Sequence, residues 1–377
     1  MLRPTHAIID LNALKHNMEV LRKNVGPQVK FMPVIKANAY GHGIVEIGRA
    51  TEAFGAEYLG VSIPEEGRRL REGGIRVPIL LLGGILPESV DMVVAFDLTP
   101  TVFTPEILAD LQSAAKAAGK VCNIHIKVDS GMNRIGLKTH EDFKALLLLT
   151  RECPNIRVDG LFTHFAVSEI PDKSFTRQQI AFFMDFVDIA HEMGFYPLLH
   201  ACNSGAQLDM PDELKLNMVR GGLAMYGYHP GPYCGLWADL KPVLTWKTAV
   251  VHVKGIVSGD TVSYGRNYTA TEPRIIATLP VGYGDGYKRC ISNKAQVLIH
   301  GKRAPIVGTV CMDQCMADVT EIGDVKPGDE VVLIGCQGDE CIGADEMAEW
   351  ADTISYEILL CINDRVPRIF VGPDQED

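Results

Sequence analysis

The chain has 377 residues, enough for two domains with separate cores, and 36 Lys and Arg against 47 Asp and Glu leave it a net charge of −11. No basic block is present that could neutralise phosphates along a strand, so nucleic acid is excluded as an expected partner. The opening residues are interrupted by Asp10, Asn12, Lys15 and His16 before any long apolar run, which argues against a signal peptide or membrane anchor and for a cytoplasmic protein.

In chain order, strands are predicted at Phe31 to Ile35, Tyr58 to Ser62, Ile79 to Leu82, Val121 to Val128, Val158 to Thr163 and Leu198 to Ala201, with helices between them. Most are continuous apolar runs, the pattern of parallel strands buried on both faces. Helices predicted at Pro105 to Ala118 and Thr176 to Met193 stop at Gly119 and Gly194, and the second aligns Ile180, Phe183, Val187 and Ala190 on one face. Repeated βα units with no Gly-x-Gly-x-x-Gly turn after the first strand predict an α/β fold of the (β/α)8 TIM-barrel type rather than an open sheet.

After the Pro- and Gly-rich stretch His229 to Gly235 the texture changes. Short strands are predicted at Thr248 to Lys254, Arg274 to Leu279, Gln296 to Ile299 and Glu330 to Leu333, punctuated by turns such as Ser258-Gly259-Asp260, with one helical insertion around Gly343 to Ile362. The expected domains are 1–235, a barrel, and 236–377, mainly β, with the first residues packing on the β domain and Pro373 to Asp377 as a frayed tail. The cysteines, Cys122, Cys153, Cys202, Cys234, Cys290, Cys311, Cys315, Cys336, Cys341 and Cys361, include no Cys-x-x-Cys and no histidine at zinc spacing. They are expected to be mostly reduced, buried and small-apolar in behaviour, and no metal is expected.

The strongest chemical signal is Lys36, at the exit of an apolar strand in Val34-Ile35-Lys36-Ala37-Asn38-Ala39-Tyr40-Gly41-His42-Gly43. An amine held at a rigid strand end beside open space suits a Schiff base with pyridoxal phosphate, and Tyr40 is placed to donate its hydroxyl to the cofactor phosphate. A solvated strand-end lysine is the plainer account of the same local pattern. In a parallel barrel, polar residues at strand ends converge on one face. Those residues are Lys127 and Arg134 in the run from His125, Thr163-His164, His200 to Gly205, and Val219-Arg220-Gly221-Gly222-Leu223. Singly, His164 reads as a hydrogen-bonded core residue and Arg220 as a loop charge; their shared position makes them a candidate site. Ser204 and the Gly221-Gly222-Leu223 backbone offer a phosphate a hydroxyl and open N–H groups, and Arg134 offers a bidentate grip on a carboxylate. In the β domain, Tyr264 and Tyr283 each sit beside glycines and read either as packing residues or as loop residues that meet something.

Taken in order, Ala7 to Leu14, Val34 to Gly43, Lys127 to Gly136, Val219-Arg220, Met225-Tyr226-Gly227, Val262 to Gly265, Gly282 to Gly286 and Cys311-Met312-Asp313-Gln314 resemble the alanine racemase family nearly end to end. The resemblance implies pyridoxal-phosphate-dependent interconversion of L- and D-alanine, supplying D-alanine for peptidoglycan or serving alanine breakdown. It also implies a head-to-tail homodimer in which each site combines one barrel with the partner's β domain. Lys36 becomes the cofactor-bearing lysine and one base, and Tyr264 from the other subunit the second; two are needed because the α-proton leaves one face and returns on the other. Arg220 resembles the partner of the pyridine nitrogen. A guanidinium does not readily hand over a proton, so the electron sink is weakened.

By the same resemblance Tyr40, Ser204, Gly222, Leu223 and Tyr356 match the phosphate-binding set, and His164 and Asn203 support the ring and its neighbours. Arg134 matches the arginine beside the substrate carboxylate, and Met312, Asp313 and Tyr283 a substrate-side loop contributed in trans. Lys127 matches a lysine that many members carry as an N-carboxylated side chain, an anion able to hold Arg134. Two departures fall at the expected entrance: Thr309 where many members have arginine, and Glu169 where some have aspartate. Decarboxylases of the same barrel type place a carboxylate where this chain has Arg220, and a single-domain cofactor carrier has no counterpart to residues 240–370. The closest alternative is a serine-preferring or broad-specificity racemase, in which Tyr356 is commonly altered and, in secreted forms, a signal peptide is present.

Overall fold

Strand burial separates the two halves of the chain before their topology does. In β1 (His6–Asp10) half-buried and buried residues alternate, the mark of a strand covered on one face, whereas β3 (Leu59–Val61) and β4 (Ile79–Leu81) are buried at every position. With β2 (Lys30–Pro33), β5 (Thr99–Val102), β6 (Cys122–Lys127), β7 (Ile156–Phe162), β8 (Leu198–His200) and β9 (Met218–Gly221) they form an eight-stranded parallel sheet in the order β2-β9-β8-β7-β6-β5-β4-β3. A parallel Val34–Gly60 bridge joins its two ends into the predicted barrel. The chain is described here, in a computed structural model, over residues 3–372, so the expected frayed tail lies outside the described residues.

The sequence reading omits β5 and β9. Thr99-Pro100-Thr101-Val102 and Met218-Val219-Arg220-Gly221 each interrupt their apolar run with a proline or an arginine, yet all eight residues are buried. The helix predicted from Thr176 runs Ser174–Glu192, and its buried face includes Gln179 as well as Phe183 and Val187, while Ile180 is only half-buried. Gln179 is buried because it is bonded: its Oε1 accepts from Ala166 N at 2.9 Å and its Nε2 donates to His164 O at 3.2 Å, which braces the loop after β7.

The chain divides into two compact units, one of Leu14–Ala39 with Gly43–Lys241, the other of the chain up to Ala13, Tyr40–His42, and the chain from Pro242 on. The second is mainly β: β10 (Leu244–Ala249), β11 (His252–Ile256), β12 (Thr261–Val262), β13 (Tyr268–Thr269), β14 (Arg274–Leu279), β15 (Gln296–Ile299), β16 (Lys302–Pro305), β17 (Cys315–Asp318), β18 (Glu330–Gln337), β19 (Glu340–Ile342) and β20 (Arg368–Val371). Its main sheet runs β16-β15-β18-β10-β1-β20, beside a β11-β14-β17 sheet and the β12–β13 hairpin. The strand predicted from Thr248 to Lys254 is two strands, because Val250 N turns to Asp329 O and Val251 N to Thr278 O, each at 2.9 Å, as the chain changes sheets. The helical insertion is likewise two helices, Ala344–Ala351 and Ser355–Cys361, parted at Asp352 with φ 54°.

One cysteine expectation is corrected. Cys336 and Cys341 are paired directly across the β18–β19 hairpin and form a disulfide, on exposed residues. Their sequence spacing carries no such signal; the hairpin register decides it. Among the described residues no helix is long and apolar enough to cross a membrane.

Candidate active site

Lys36 stands three residues beyond β2, and the backbone after it takes an unusual path. Ala37, Asn38, Ala39 and Tyr40 all have φ of 52–54°, a left-handed turn that costs about 1–2 kcal/mol per non-glycine residue. Its surroundings hold it. Ala37 N donates to Glu66 Oε1 at 2.5 Å, Gly43 N to Asn38 O at 2.9 Å, and Ile44 N to the Asn38 side chain at 3.0 Å. Glu66, buried, also accepts from Ser62 N at 2.9 Å, so one carboxylate ties the lysine turn to the start of the Pro64–Glu72 helix. The half-buried Lys36 ammonium is pushed below the usual lysine range by burial and then by the Arg134 charge, against Glu66.

Arg220, in β9, is 3% exposed and fully engaged. Its Nη2 donates to Ala201 O at 2.6 Å and Thr163 O at 2.9 Å and lies 3.1 Å from His164 Nδ1; its Nη1 donates to His200 Nδ1 at 2.9 Å. A guanidinium can only donate, so both Nδ1 atoms accept and both imidazoles are neutral. Burial, then Arg220, holds each well below the usual histidine range. His200 Nε2 can then donate to His125 Nδ1, 2.9 Å away, and the His200 ring stacks on Phe162 at 4.6 Å. Lys127 ends β6 with its Nζ 4.7 Å from the Phe162 ring centre, buried and without a hydrogen-bond partner. Burial, then Arg220 and Arg134, holds its ammonium well below the usual range.

Between β8 and β9 the Asn203 side chain caps the Ser204–Asp209 helix by accepting from Ala206 N at 3.1 Å, and accepts from Ser168 Oγ at 2.6 Å. Ser204 Oγ accepts from Gly222 N at 3.0 Å, so the hydroxyl and the Gly222-Leu223 backbone lie side by side. Glu169 follows Ser168, half-buried in the same loop. Arg134 is exposed beyond a turn in which Asp129 Oδ1 accepts from Gly131 N at 3.0 Å and Asn133 N at 2.9 Å. The barrel unit therefore brings together Lys36, Lys127, Arg134, His164, Asn203, Ser204, Arg220, Gly222 and Leu223, an electropositive strand-end face suited to an anion.

The second unit groups the others. The Tyr40 and Tyr356 rings lie 5.9 Å apart, and burial raises the Tyr40 phenol well above its usual range, keeping it protonated as a donor. Tyr264, Tyr283, Arg289, Met312 and Asp313 line an open hollow of about 720 Å3. Tyr283 N donates to Cys311 O at 3.0 Å and Gly284 N to Met312 O at 2.8 Å, lacing the two loops together. Gly282 permits that approach, since a Cβ there would lie 2.2 Å from Cys311 O. Arg365 pins the pair, donating from Nη2 to Asp313 Oδ1 at 2.7 Å while its Nε stands 3.4 Å from the buried Asp285 carboxylate. Thr309 is not at an open entrance but 3% exposed beneath the Tyr264 loop.

Sequence reasoning misses Glu66 and gives no role to His125 or His200. The acid is legible only as a helix-start residue three after Ile63, and the histidines only as strand-end neighbours of other candidates.

Residues 9–230 match the family model described as the alanine racemase N-terminal domain, and residues 243–370 that of the C-terminal domain. A barrel with this strand-end site, followed by this β unit, is the arrangement of a racemase, an isomerase. The chain is 46% identical to an alanine racemase of Halothermothrix orenii over 97% of its own length and 96% of that protein's, and 45% identical to one of Cutibacterium acnes over 98% of each. Its fold is similar to an alanine racemase of Clostridium difficile, with TM-score 0.94, 36% identity and 98% and 96% coverage. A Bacillus anthracis alanine racemase with bound L-Ala-P gives TM-score 0.94 and 35% identity over 100% of this chain and 97% of that one. The chain belongs to the alanine racemase family.

Proposed function

We propose that the protein interconverts L- and D-alanine with pyridoxal phosphate, using Lys36 and Tyr264 as its two bases. The observation that carries this reading is Lys36, a strand-end amine with its pKa lowered, fixed by the Glu66-held turn. The residues present fit the cofactor: the Ser204–Gly222 hydroxyl and backbone cradle suits its phosphate, and Arg220, Arg134 and Lys127 leave a site short of anions. When bound, pyridoxal phosphate supplies the electron sink that makes the α-proton of an amino acid acidic.

Lys36 would hold the cofactor through its amine, and as a free amine it takes or returns the substrate's α-proton on one face. Tyr264 of the partner subunit does so on the other, in a head-to-tail homodimer. Exposures of 72% for Tyr264, 42% for Tyr283 and 53% for Met312 within one chain support a surface completed by a second copy. Ser204, Gly222, Leu223, Tyr40 and Tyr356 would hold the phosphate, and His164 and Asn203 would support the ring. Arg220 would meet the ring nitrogen as a hydrogen-bond donor only, since a guanidinium is strongly basic and does not readily hand over a proton, and it is held in place by the Thr163 and Ala201 carbonyls. Arg134 receives the substrate carboxylate, and Met312, Asp313 and Tyr283 close the substrate side. The enzyme works in the cytoplasm, supplying D-alanine for peptidoglycan or feeding alanine breakdown. Comparing turnover of alanine, serine and lysine by purified protein tests the assignment. Alanine is expected to be strongly preferred; equal or faster serine turnover would favour the broad-specificity alternative.

Lys127 is proposed to be carboxylated. In its neutral form, which burial favours, the unbonded amine attacks carbon dioxide: an N–C bond forms, one C=O π bond opens to an oxyanion and the amine proton leaves to water, and the resulting carbamate anion braces Arg134 and offsets the Arg134 and Arg220 charges. Lys127→Ala is expected to lose roughly tenfold or more of kcat/KM and to regain part of it with a small added carboxylate. Unchanged activity in the variant, or ordinary ammonium density in a high-resolution crystal structure, would refute the modification.

A further inference from the structure

The loop that carries Tyr264 is strained, and a buried side chain bonds it at two points. β12 and β13 pair Thr261 with Thr269 and Val262 with Tyr268, leaving Ser263 to Asn267 as the turn. Within it Ser263, Gly265 and Arg266 have φ of 66°, 74° and 52°, a path that persists only where the surroundings determine it. Thr309 supplies that determination. Its Oγ1 donates to the carbonyl of Tyr264 at 2.7 Å and accepts from Asn267 Nδ2 at 3.0 Å, while its own carbonyl accepts from Ser263 Oγ at 2.6 Å. Gly308, with φ 76°, allows the approach, since a Cβ there would lie 2.6 Å from Val262 O. Tyr264 is 72% exposed, so within its own chain the backbone, rather than packing around the side chain, sets where the phenol points.

We propose that Thr309 is a positioning residue for Tyr264: its hydroxyl, used as donor and acceptor at once, fixes the tyrosine's own carbonyl and thereby the direction of the phenol. The proposal rests on the reading of Tyr264 as one of two bases. Valine has the same shape and neither hydrogen-bonding role; serine keeps both.

In Thr309→Val, kcat is expected to fall by about ten- to a hundredfold in both directions, with KM for alanine changed by less than about twofold. Because only the proton transfer handled by Tyr264 is slowed, the isotope effect on α-deuterated alanine should rise for one enantiomer and not the other, a pattern that general loosening of the fold does not produce. Thr309→Ser should restore both kcat and the isotope pattern. Wild-type kinetics in Thr309→Val, isotope effects raised equally for both enantiomers, or a serine variant as impaired as the valine one would each overturn the proposal. Should Thr309→Val not fold, Asn267→Ala removes the hydroxyl's other partner and is expected to give the same one-sided isotope effect, whose absence overturns it equally. Tyr264→Phe separates the two layers: if that variant keeps its turnover, the two-base reading itself fails, whereas an inactive Tyr264→Phe beside a normal Thr309→Val removes Thr309's role alone.

Discussion

Subunits carrying Lys36→Ala and subunits carrying Tyr264→Phe are each expected to be nearly inactive and to regain activity when mixed. In a head-to-tail dimer with shared sites, a hybrid holds one site with both bases and one with neither. With random exchange half the dimers are hybrids with one working site each, so about a quarter of the wild-type specific activity should return. Tyr264→Phe alone should lose turnover in both directions, because a racemisation cycle needs both bases whichever enantiomer enters. The exposed Tyr264 and the hollow it shares with Tyr283, Met312 and Asp313 motivate the experiment. If native mass spectrometry of differently tagged subunits detects hybrids and no activity returns, the roles given to Tyr264, Tyr283, Met312 and Asp313 fall together.

Lys36→Ala is expected to lower kcat by roughly four orders of magnitude, since it removes the group that holds the cofactor as well as a proton-transfer base. Lys36→Arg should fare little better, because a guanidinium keeps its charge and neither attacks a carbonyl nor accepts a proton at neutral pH. The supporting measurement needs no turnover. The wild-type protein with pyridoxal phosphate should be yellow, and borohydride reduction followed by peptide mapping should place the pyridoxyl label on Lys36. A label on Lys127 or any other lysine would defeat the assignment. The lowered pKa of Lys36, with burial as its chief cause and Arg134 next, raises the share of free amine available to attack a carbonyl.

What the sequence determined by itself is whatever its short-range patterns carry. Apolar runs of strand length, glycine stops after helices and the change of texture after Gly235 were enough for a barrel followed by a mainly β part. A lysine at a strand exit, with Tyr40 and two glycines after it, was enough to point to carbonyl chemistry. These signals are local, because periodicity and turn chemistry act over a few residues. The β5 and β9 strands escape for the same reason: a proline or an arginine breaks the local apolar pattern, and Thr99–Val102 and Met218–Gly221 are buried by their places between neighbouring strands of the barrel. Tertiary structure alone decided the left-handed turn after Lys36, because its hold comes partly from Glu66 on another βα unit. It alone decided that Arg220 lies among two backbone carbonyls and two imidazoles, and that Cys336 meets Cys341, since these partners are far apart in sequence or set by strand register. Thr309 shows the difference most plainly. The family resemblance sets it at the entrance, yet the close approach at Gly308 carries it under the Tyr264 loop, where its hydroxyl bonds residues more than forty positions away in the chain.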